Sequence, residues 1–589
     1  MIDRILTACR ESEYDFRGTA CPDDPLSDRF PELVAYYRLK WAIASVLQPM
    51  SILEIGVRYG YSAAAFLAAA PTARYVGIDP PVPSDGDRSG ALEYAERLLA
   101  AHDVELRRLD GPLIDRLPGG PYDLVHVDGQ ADGDRSFRTL ELALSTGSWV
   151  LVDGYLWTRL NFLALNEALF RHAQSVEWLA MVPGYAGELL VKVAEPRAAA
   201  ARREGSAELR DEYTRAYYLR DCSGWDAYDR PGRSQIENPR LQAVVSLAEL
   251  GDVGRVLDLG CGRGEVELHL GSRGSRVVGV DYAPEACALA RRLVGSDPAA
   301  RDNVEILCGD VGTVEWSGRF GTVVAADVVE HLAPDELDRV YARIVRHLEP
   351  HGRLVVHTNP NRWYYEREYP RRRADAAALG TYLPPDPRTP TESLLHINEH
   401  SPVDLRNQLL RHFEHVVVWA GDTGDVRGTL GGPADGLERF PDLFAIASPA
   451  PLDELELRDT VGMEVIGPEE VRGLNLTVLE HRETNSGTWQ IRVRLENDGQ
   501  VSLNSNLPFP IQLGHEWIDQ ATGEIAYGDG RARLFPWLRP GAREQYEVHV
   551  TSPARPGRHR LRVCLVQEFV RWFDAGDDGL SAELDLDVS

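Results

Sequence analysis

Acidic residues recur at nearly the same intervals in two separate stretches of this 589-residue chain, and that repeat constrains the fold more than any single motif does. In the first stretch Glu54, Asp79, Asp110 and Asp128 stand 25, 31 and 18 positions apart; in the second, Asp258, Asp281, Asp310 and Asp327 stand 23, 29 and 17 apart. Each acid lies at the tip of an apolar run of strand length, and each interval leaves room for a helix. Strands and helices alternating at this length form a parallel, doubly wound sheet. Four tips matched in order predict two such sheets in tandem.

The second copy is the sharper. Val-Leu-Asp-Leu-Gly-Cys-Gly-Arg-Gly at 256–264 is an apolar run that opens into Gly260, Gly262 and Gly264, where backbone can approach a ligand without a Cβ in the way. The next apolar run, 276–280, ends on Asp281, placed to accept hydrogen bonds from a ribose diol. Asp258 would repel a phosphate but suits an ammonium group. S-adenosylmethionine offers an amino-acid end, a ribose and no phosphate. At these residues the stretch resembles motif I of the class I S-adenosylmethionine-dependent methyltransferases. The resemblance implies that Asp258, Gly260 and Gly262 face the methionine part, Asp281 the ribose and Asp310 the adenine amino group, with Asp327 at the neighbouring tip. It extends to topology. Strands expected at 177–182 and 188–193, and again at 415–420 and 443–448, would close each parallel sheet with the antiparallel hairpin of that fold.

The first copy is looser. Ser-Ile-Leu-Glu-Ile-Gly-Val-Arg-Tyr-Gly-Tyr-Ser at 51–62 has Glu54 in place of Asp258, Gly56 and Gly60 framing the turn, and Asp79 and Asp110 at the next two tips. Asp128 and Asp153 end the expected fourth and fifth strands, which are neighbours in this fold. Without a nearby lysine, two such carboxylates are expected to hold a hard divalent cation, Mg2+, that orients a hydroxyl for attack on the methyl group. This half resembles metal-dependent O-methyltransferases, although Gly154 stands where the diol enzymes carry an asparagine ligand. Asp132 or Asp134 is the candidate for the missing oxygen, against helix N-capping just before Ser136. Asp128 is also a catalytic candidate, whereas His126, inside a strand, reads as a packed core histidine.

In the second half the acceptor residues are harder to place. Asp-Val-Val-Glu-His-Leu from 327 resembles the segment after the fourth strand of small-molecule and sugar methyltransferases. His331, four residues beyond Asp327, is a candidate to take the proton of an attacking hydroxyl near neutral pH; a packing histidine is the other reading. After a fifth strand at 353–357, residues 358–400 read as an irregular acceptor lid. Asn359, Tyr364, Tyr365, His396, Asn398 and Glu399 are its acceptor-binding candidates, with His396 or His400 as the alternative base.

Beyond residue 449, short strands alternating with period two and turns at Asp498-Gly499, Pro540-Gly541 and Pro556-Gly557 describe a β-sandwich. The stretches at 535–541 and 565–573 resemble sandwich domains appended to bacterial enzymes and exporters of surface polysaccharide. Trp537 or Trp572 is then expected near a glycan-binding face, while most of the aromatics, among them Trp489, Trp517, Phe535 and Phe573, serve the core. The expected fold is thus two α/β Rossmann-like class I methyltransferase domains, at 1–195 and 211–450, joined by a helical linker at 196–210 and followed at 455–589 by an all-β immunoglobulin-like sandwich. Residues 1–50 read as an irregular acidic start and then a helix at 32–47.

The net charge of -28 argues against a nucleic-acid partner. Seven scattered cysteines without a Cys-x-x-Cys pair indicate neither a disulfide framework nor a structural zinc site, and fit a reducing cytoplasm. No segment has the apolar length of a membrane span. The expected activity is O-methylation of sugar hydroxyls on a glycan or glycosylated metabolite by two cofactor sites. A non-sugar natural-product acceptor, or a glycan-binding assembly protein with inactive methyltransferase folds, are the alternatives.

Overall fold

A computed structural model describes residues 1–79, 90–108, 120–128, 133–184, 187–194, 209, 212–222, 228, 236, 238–250, 254–421, 437–452, 463–485, 487–506, 509–528, 530–573 and 580–588. Asp110, Asp132 and nearly all of the 196–210 linker lie outside these residues. The chain forms two compact units. One comprises Met1–Arg202 with Tyr369–Ser393, the other Arg203–Glu368 with Leu394–Ser589.

The first unit holds seven strands: β1 (Ser51–Ile55), β2 (Arg74–Asp79), β3 (Val104–Arg108), β4 (Tyr122–Val127), β5 (Gly147–Val152), β6 (Val176–Val182) and β7 (Glu188–Val193). Their order is β3-β2-β1-β4-β5-β7-β6, with β7 alone running against its neighbours. One face of the sheet packs on α5 (Gly133–Thr146) and α6 (Arg159–Arg171), the other on α1 (Ile2–Glu11), α2 (Phe30–Leu47), α3 (Tyr61–Ala69) and the end of α4 (Ala91–Leu99). Covered on both faces, the central strands are apolar at nearly every position. The start of the chain is therefore not irregular as expected. Ile2, Ile5, Ala8 and Cys9 give α1 one apolar face, which closes over α2, a pattern too short to stand out in sequence.

The second unit repeats the topology in β8 (Arg255–Leu259), β9 (Arg276–Asp281), β10 (Val304–Cys308), β11 (Phe320–Ala326), β12 (Leu348–Thr358), β13 (His415–Gly421) and β14 (Asp442–Ser448), ordered β10-β9-β8-β11-β12-β14-β13. The registers match as well. Glu54 pairs across to Gly77 and His126, and Asp258 to Gly279 and Val324.

The expected lid at 358–400 is where the structure departs most from the sequence reading. It is not an irregular loop over the second sheet: it contains helices Tyr369–Ala378 and Pro390–Leu395, and Tyr369–Ser393 is folded into the first unit. Arg171 of α6 donates to the carbonyls of Asp386, Pro387 and Arg388 at 2.8, 3.1 and 2.7 Å. Arg373 and the Tyr382 hydroxyl donate to Asp134 at 2.7 and 3.0 Å. Asp134, in the first turn of α5, is thus engaged by Arg373 and Tyr382 of the insertion.

The carboxyl-terminal region is β-rich. A three-stranded sheet, β15 (Leu474–Asn485), β16 (Thr488–Asn497) and β20 (Arg543–Thr551), shares one core with a sheet built on β17 (Ile511–Asp519) and β21 (Gly557–Gln567). The remaining short strands, β18 (Ile525–Tyr527), β19 (Ala532–Arg533), β22 (Arg571–Trp572) and β23 (Ser581–Val588), pair onto β17 and β21. Phe535 and Trp537 do not face solvent. They are buried among Val244 and Leu247 of α7 (Pro239–Ala248), where Arg539 donates to the Ser246 carbonyl at 2.6 Å and Glu544 pairs with Arg273 at 2.7 Å. The stretch at 535–541 is a seam with the α/β part of its own unit. Of the two tryptophans expected near a binding face, Trp572 alone is partly exposed, with the Arg531 guanidinium 4.6 Å above its ring.

Candidate functional site

In both units the glycine-framed turn and the acid of the second strand form one structure. Gly264 (φ 89°) and Gly60 (φ 79°) adopt the left-handed conformation at the N-caps of α8 (Glu265–Ser272) and α3. A Cβ on Gly264 would lie 2.9 Å from Ala290 Cα, and one on Gly60 3.0 Å from Ala95 Cβ, so only glycine lets each turn seat on the helix behind it. Asp281 then accepts from the N–H of Gly262 (3.0 Å) and of Ala283 (2.9 Å). Asp79 accepts from those of Val57 and Arg58, both at 3.2 Å. These bonds fix each carboxylate while leaving lone pairs for a diol. Asp310, exposed at the third tip, caps its own turn through the Gly312 N–H at 2.6 Å.

The carboxyls beneath the turns are buried. Burial, with Asp281 and Glu265 nearby, pushes Asp258 up to about 7; burial pushes Asp281 up to about 6 and Glu54 up to about 8. Glu54 is not equivalent to Asp258 in its contacts. It accepts from the Tyr75 hydroxyl and meets His126 Nδ1 at 3.0 Å, so the core histidine read from sequence is a buried polar pair.

At the tips of β4 and β5, Asp128 and Asp153 are brought together as expected, but not without a lysine. Lys40, remote in sequence, enters from α2 with its ammonium fully buried, 2.5 Å from Glu188 and within electrostatic reach of both aspartates. Tyr36, one turn earlier, donates to Asp153 at 2.8 Å. Burial and the neighbouring Asp153 raise Asp128 well above the carboxylate range. The ammonium already supplies the positive charge that Mg2+ was expected to bring, and it would repel a second cation in this low-dielectric pocket. These residues do not fit the expected ion.

The corresponding tips of the second unit are built differently. Asp327, held at φ 54°, receives Arg240 at 3.0 Å and His357 Nδ1 at 2.7 Å, and His357 Nε2 meets Asp442 at 3.3 Å. Burial opposes a charge on His357, but Asp327 and Asp442 outweigh it and raise the imidazole to about 9. The same surroundings drive Asp327 far below its usual range: burial opposes the charge, and Arg240 and His357 override it. Val328, next in sequence, would lie 2.8 Å from a Cβ on Gly260, so this loop abuts the glycine turn. It leads to Glu330, His331 and, from the far end of the insertion, His396, whose ligand atoms all lie within 4.8 Å of one another. Tyr213 and Leu395 contact His331 Nδ1 at 2.9 and 3.1 Å. Arg263 of the glycine turn donates to the Tyr218 carbonyl at 2.8 Å, holding an aromatic segment around Tyr213, Tyr217 and Tyr218 against the site.

Residues 256–352 match the family model described as a methyltransferase domain. This stretch is a methyltransferase domain. Over 116 residues the chain is 35% identical to a 2-heptyl-1-hydroxyquinolin-4(1H)-one methyltransferase of Mycobacteroides abscessus, covering 19% of this chain and 50% of that protein. Over 136 residues it is 31% identical to a ubiquinone biosynthesis O-methyltransferase of Xanthomonas oryzae pv. oryzae, covering 23% of this chain and 55% of that one. The chain spans about half the length of the curated relatives it matches. Among solved structures it is similar to a glycopeptide N-methyltransferase complexed with sinefungin, at 22% identity and a TM-score of 0.20, covering 23% of this chain and 60% of that one.

Within the methyltransferase domain and its insertion the acceptor candidates separate. His331 and His396 meet, their ring centroids 5.0 Å apart, and the Asn398 N–H donates to the Glu330 carbonyl at 3.0 Å. His400 does not join them; it is buried against Gln408 at 3.0 Å and serves packing. Asn359 is taken up by Asp442 at 2.8 Å, and Tyr364 is buried. Glu330, His357, Arg240 and Lys40 escaped the sequence reading. Glu330 alone had a signal, its place beside His331.

Proposed function

We propose that the chain is a bifunctional S-adenosylmethionine-dependent O-methyltransferase acting on sugar hydroxyls of a glycan or glycosylated metabolite, with the β-rich region holding the acceptor. The observation that carries the double activity is the repeated cradle: in both units, backbone N–H groups of the glycine-framed turn grip the acid at the tip of the second strand. Asp258, Gly260, Gly262, Asp281 and Asp310 serve one cofactor; Glu54, Gly56, Gly60, Asp79 and Asp110 serve the other. An oxygen lone pair of the acceptor forms the new bond to the methyl carbon as the carbon–sulfur bond breaks and its electron pair stays on sulfur. Alignment supplies most of the acceleration. The acceptor proton departs at Glu330, His331 and His396 in the second unit, and at Asp128 beside Lys40 and Asp153 in the first.

Calorimetric titration of the full chain with S-adenosylhomocysteine tests this reading, with two sites expected. Asp281→Ala should remove one and Asp79→Ala the other; two sites surviving in either variant would overturn the assignment of that tip. Labelled methyl transfer to sugar acceptors tests the substrate class, with transfer confined to non-sugar phenols counting against it.

A further inference from the structure

The glutamate and two histidines beside the glycine turn of the second unit have a geometry that acid–base chemistry alone does not account for. Glu330, His331 and His396 come from two segments far apart in sequence, yet one ligand atom from each lies within 4.8 Å of the others. Two of the three are already oriented from behind. His331 meets the Leu395 carbonyl through Nδ1 at 3.1 Å, so that nitrogen carries the proton and Nε2 keeps its lone pair, with the Tyr213 hydroxyl at 2.9 Å on the same side. Glu330 is 1% exposed, and one of its oxygens accepts from the Thr358 hydroxyl at 2.8 Å. A backbone carbonyl behind a histidine and a hydroxyl behind a carboxylate are the supports that metal ligands commonly have.

We infer that Glu330, His331 and His396 bind one divalent transition ion of the zinc type, with its open positions toward the acceptor. Two imidazole nitrogens and one carboxylate oxygen are a donor set for Zn2+ and its neighbours, whereas Mg2+ and Ca2+ favour oxygen alone. Three protein ligands leave positions for an acceptor oxygen. Among the described residues no lysine or arginine forms an ion pair with Glu330; Arg240, within electrostatic reach of it, is paired to Asp327, whereas the ammonium of Lys40 lies beside Asp128 and Asp153. Among the described residues the other close group of such side chains, Glu54, His126 and Asp128, is not equivalent, because Glu54 there is already bonded to Tyr75 and His126 and lies within electrostatic reach of the buried ammonium of Lys40. The inference rests on the acceptor assignment above for what the ion does, but not for its binding. A bound acceptor hydroxyl would lose its proton to water more readily, and the histidines would act as ligands instead of bases.

The test uses the full chain, stripped with a chelator and dialysed against Zn2+ or Co2+, with metal content and the visible absorption of Co2+ as readouts. One equivalent of either ion, with nitrogen-ligated Co2+ bands, is expected. Glu330→Gln and His396→Ala should each weaken uptake at least tenfold, Asp153→Asn should leave it unchanged, and a matching thermal unfolding profile shows that each variant folds. Absence of uptake, or uptake indifferent to both ligand variants, overturns the inference. Titration with S-adenosylhomocysteine separates the two ideas. Cofactor binding without metal uptake removes only the ion; metal uptake without cofactor binding removes only the methyltransferase reading.

Discussion

At the scale of single residues, the buried charges of the second unit make the strongest predictions. His357 has a raised folded value of about 9 against an unfolded value near 6.5, so its contribution to stability is complete below pH 6.5 and is lost as pH rises through 9. The melting temperature is therefore expected to fall between pH 7 and pH 10, less steeply in His357→Gln, as differential scanning calorimetry at several pH values would show. Replacing His357 by alanine leaves Asp327 and Asp442 facing each other without the imidazole, at a cost of about 3–5 kcal/mol in denaturant unfolding. Asp281 and Asp258, raised to about 6 and 7 without ligand, must ionise to hold a diol and an ammonium group. On the proposed cofactor reading, affinity should accordingly rise about a hundredfold from pH 5.5 to 7.5 with net proton release, measurable by titration in buffers of different ionisation enthalpy. Such residues are the part least legible in sequence. The strand-tip acids announce themselves because a strand ends there. His357, Arg240 and Lys40 acquire their roles only when folding sets them against acids 30 to 150 positions away, and an isolated lysine on an apolar helix gives no sign of its partner.

Among the elements, the strands were the most legible. Burial on both faces writes nearly continuous apolar runs, so β7 and β9 fall where the sequence places them. Segment 358–400 was not, because its prolines and arginines describe a loop equally well whichever surface it reaches. Its contacts predict that Arg171→Ala, which removes donors to three backbone carbonyls, loosens residues 379–393 first. Hydrogen exchange there should accelerate by about tenfold to a hundredfold, in line with about 1.5–3 kcal/mol for hydrogen bonds to a charged group, while β8 to β12 exchange as before. Unchanged protection in 379–393 would show that the clamp holds nothing.

For the whole molecule, the sequence conveyed two α/β sheets and a β-rich end, because the interval between strand tips survives even where the glycine motif has decayed. It did not convey how the β-rich end is attached. The aromatic run that looked like a recognition surface instead seals Phe535 and Trp537 under α7, with Arg539 hydrogen-bonded behind them. Trp537→Ala is expected to cost about 3–5 kcal/mol in denaturant unfolding, with binding of S-adenosylhomocysteine, measured by calorimetric titration, unchanged. None of the helices among the described residues is long and apolar enough to cross a membrane. The path of the chain also has a consequence for how the protein is made. The first unit needs Tyr369–Ser393, which the ribosome supplies only after most of the second sheet has emerged. The half that is translated first is thus the half that cannot be finished first, and a chain interrupted after the fifth strand of the second sheet would leave both halves incomplete. Domains ordinarily fold in the sequence in which they are synthesised; here the amino-terminal unit must wait for its last part, so an abandoned translation product releases no finished amino-terminal unit.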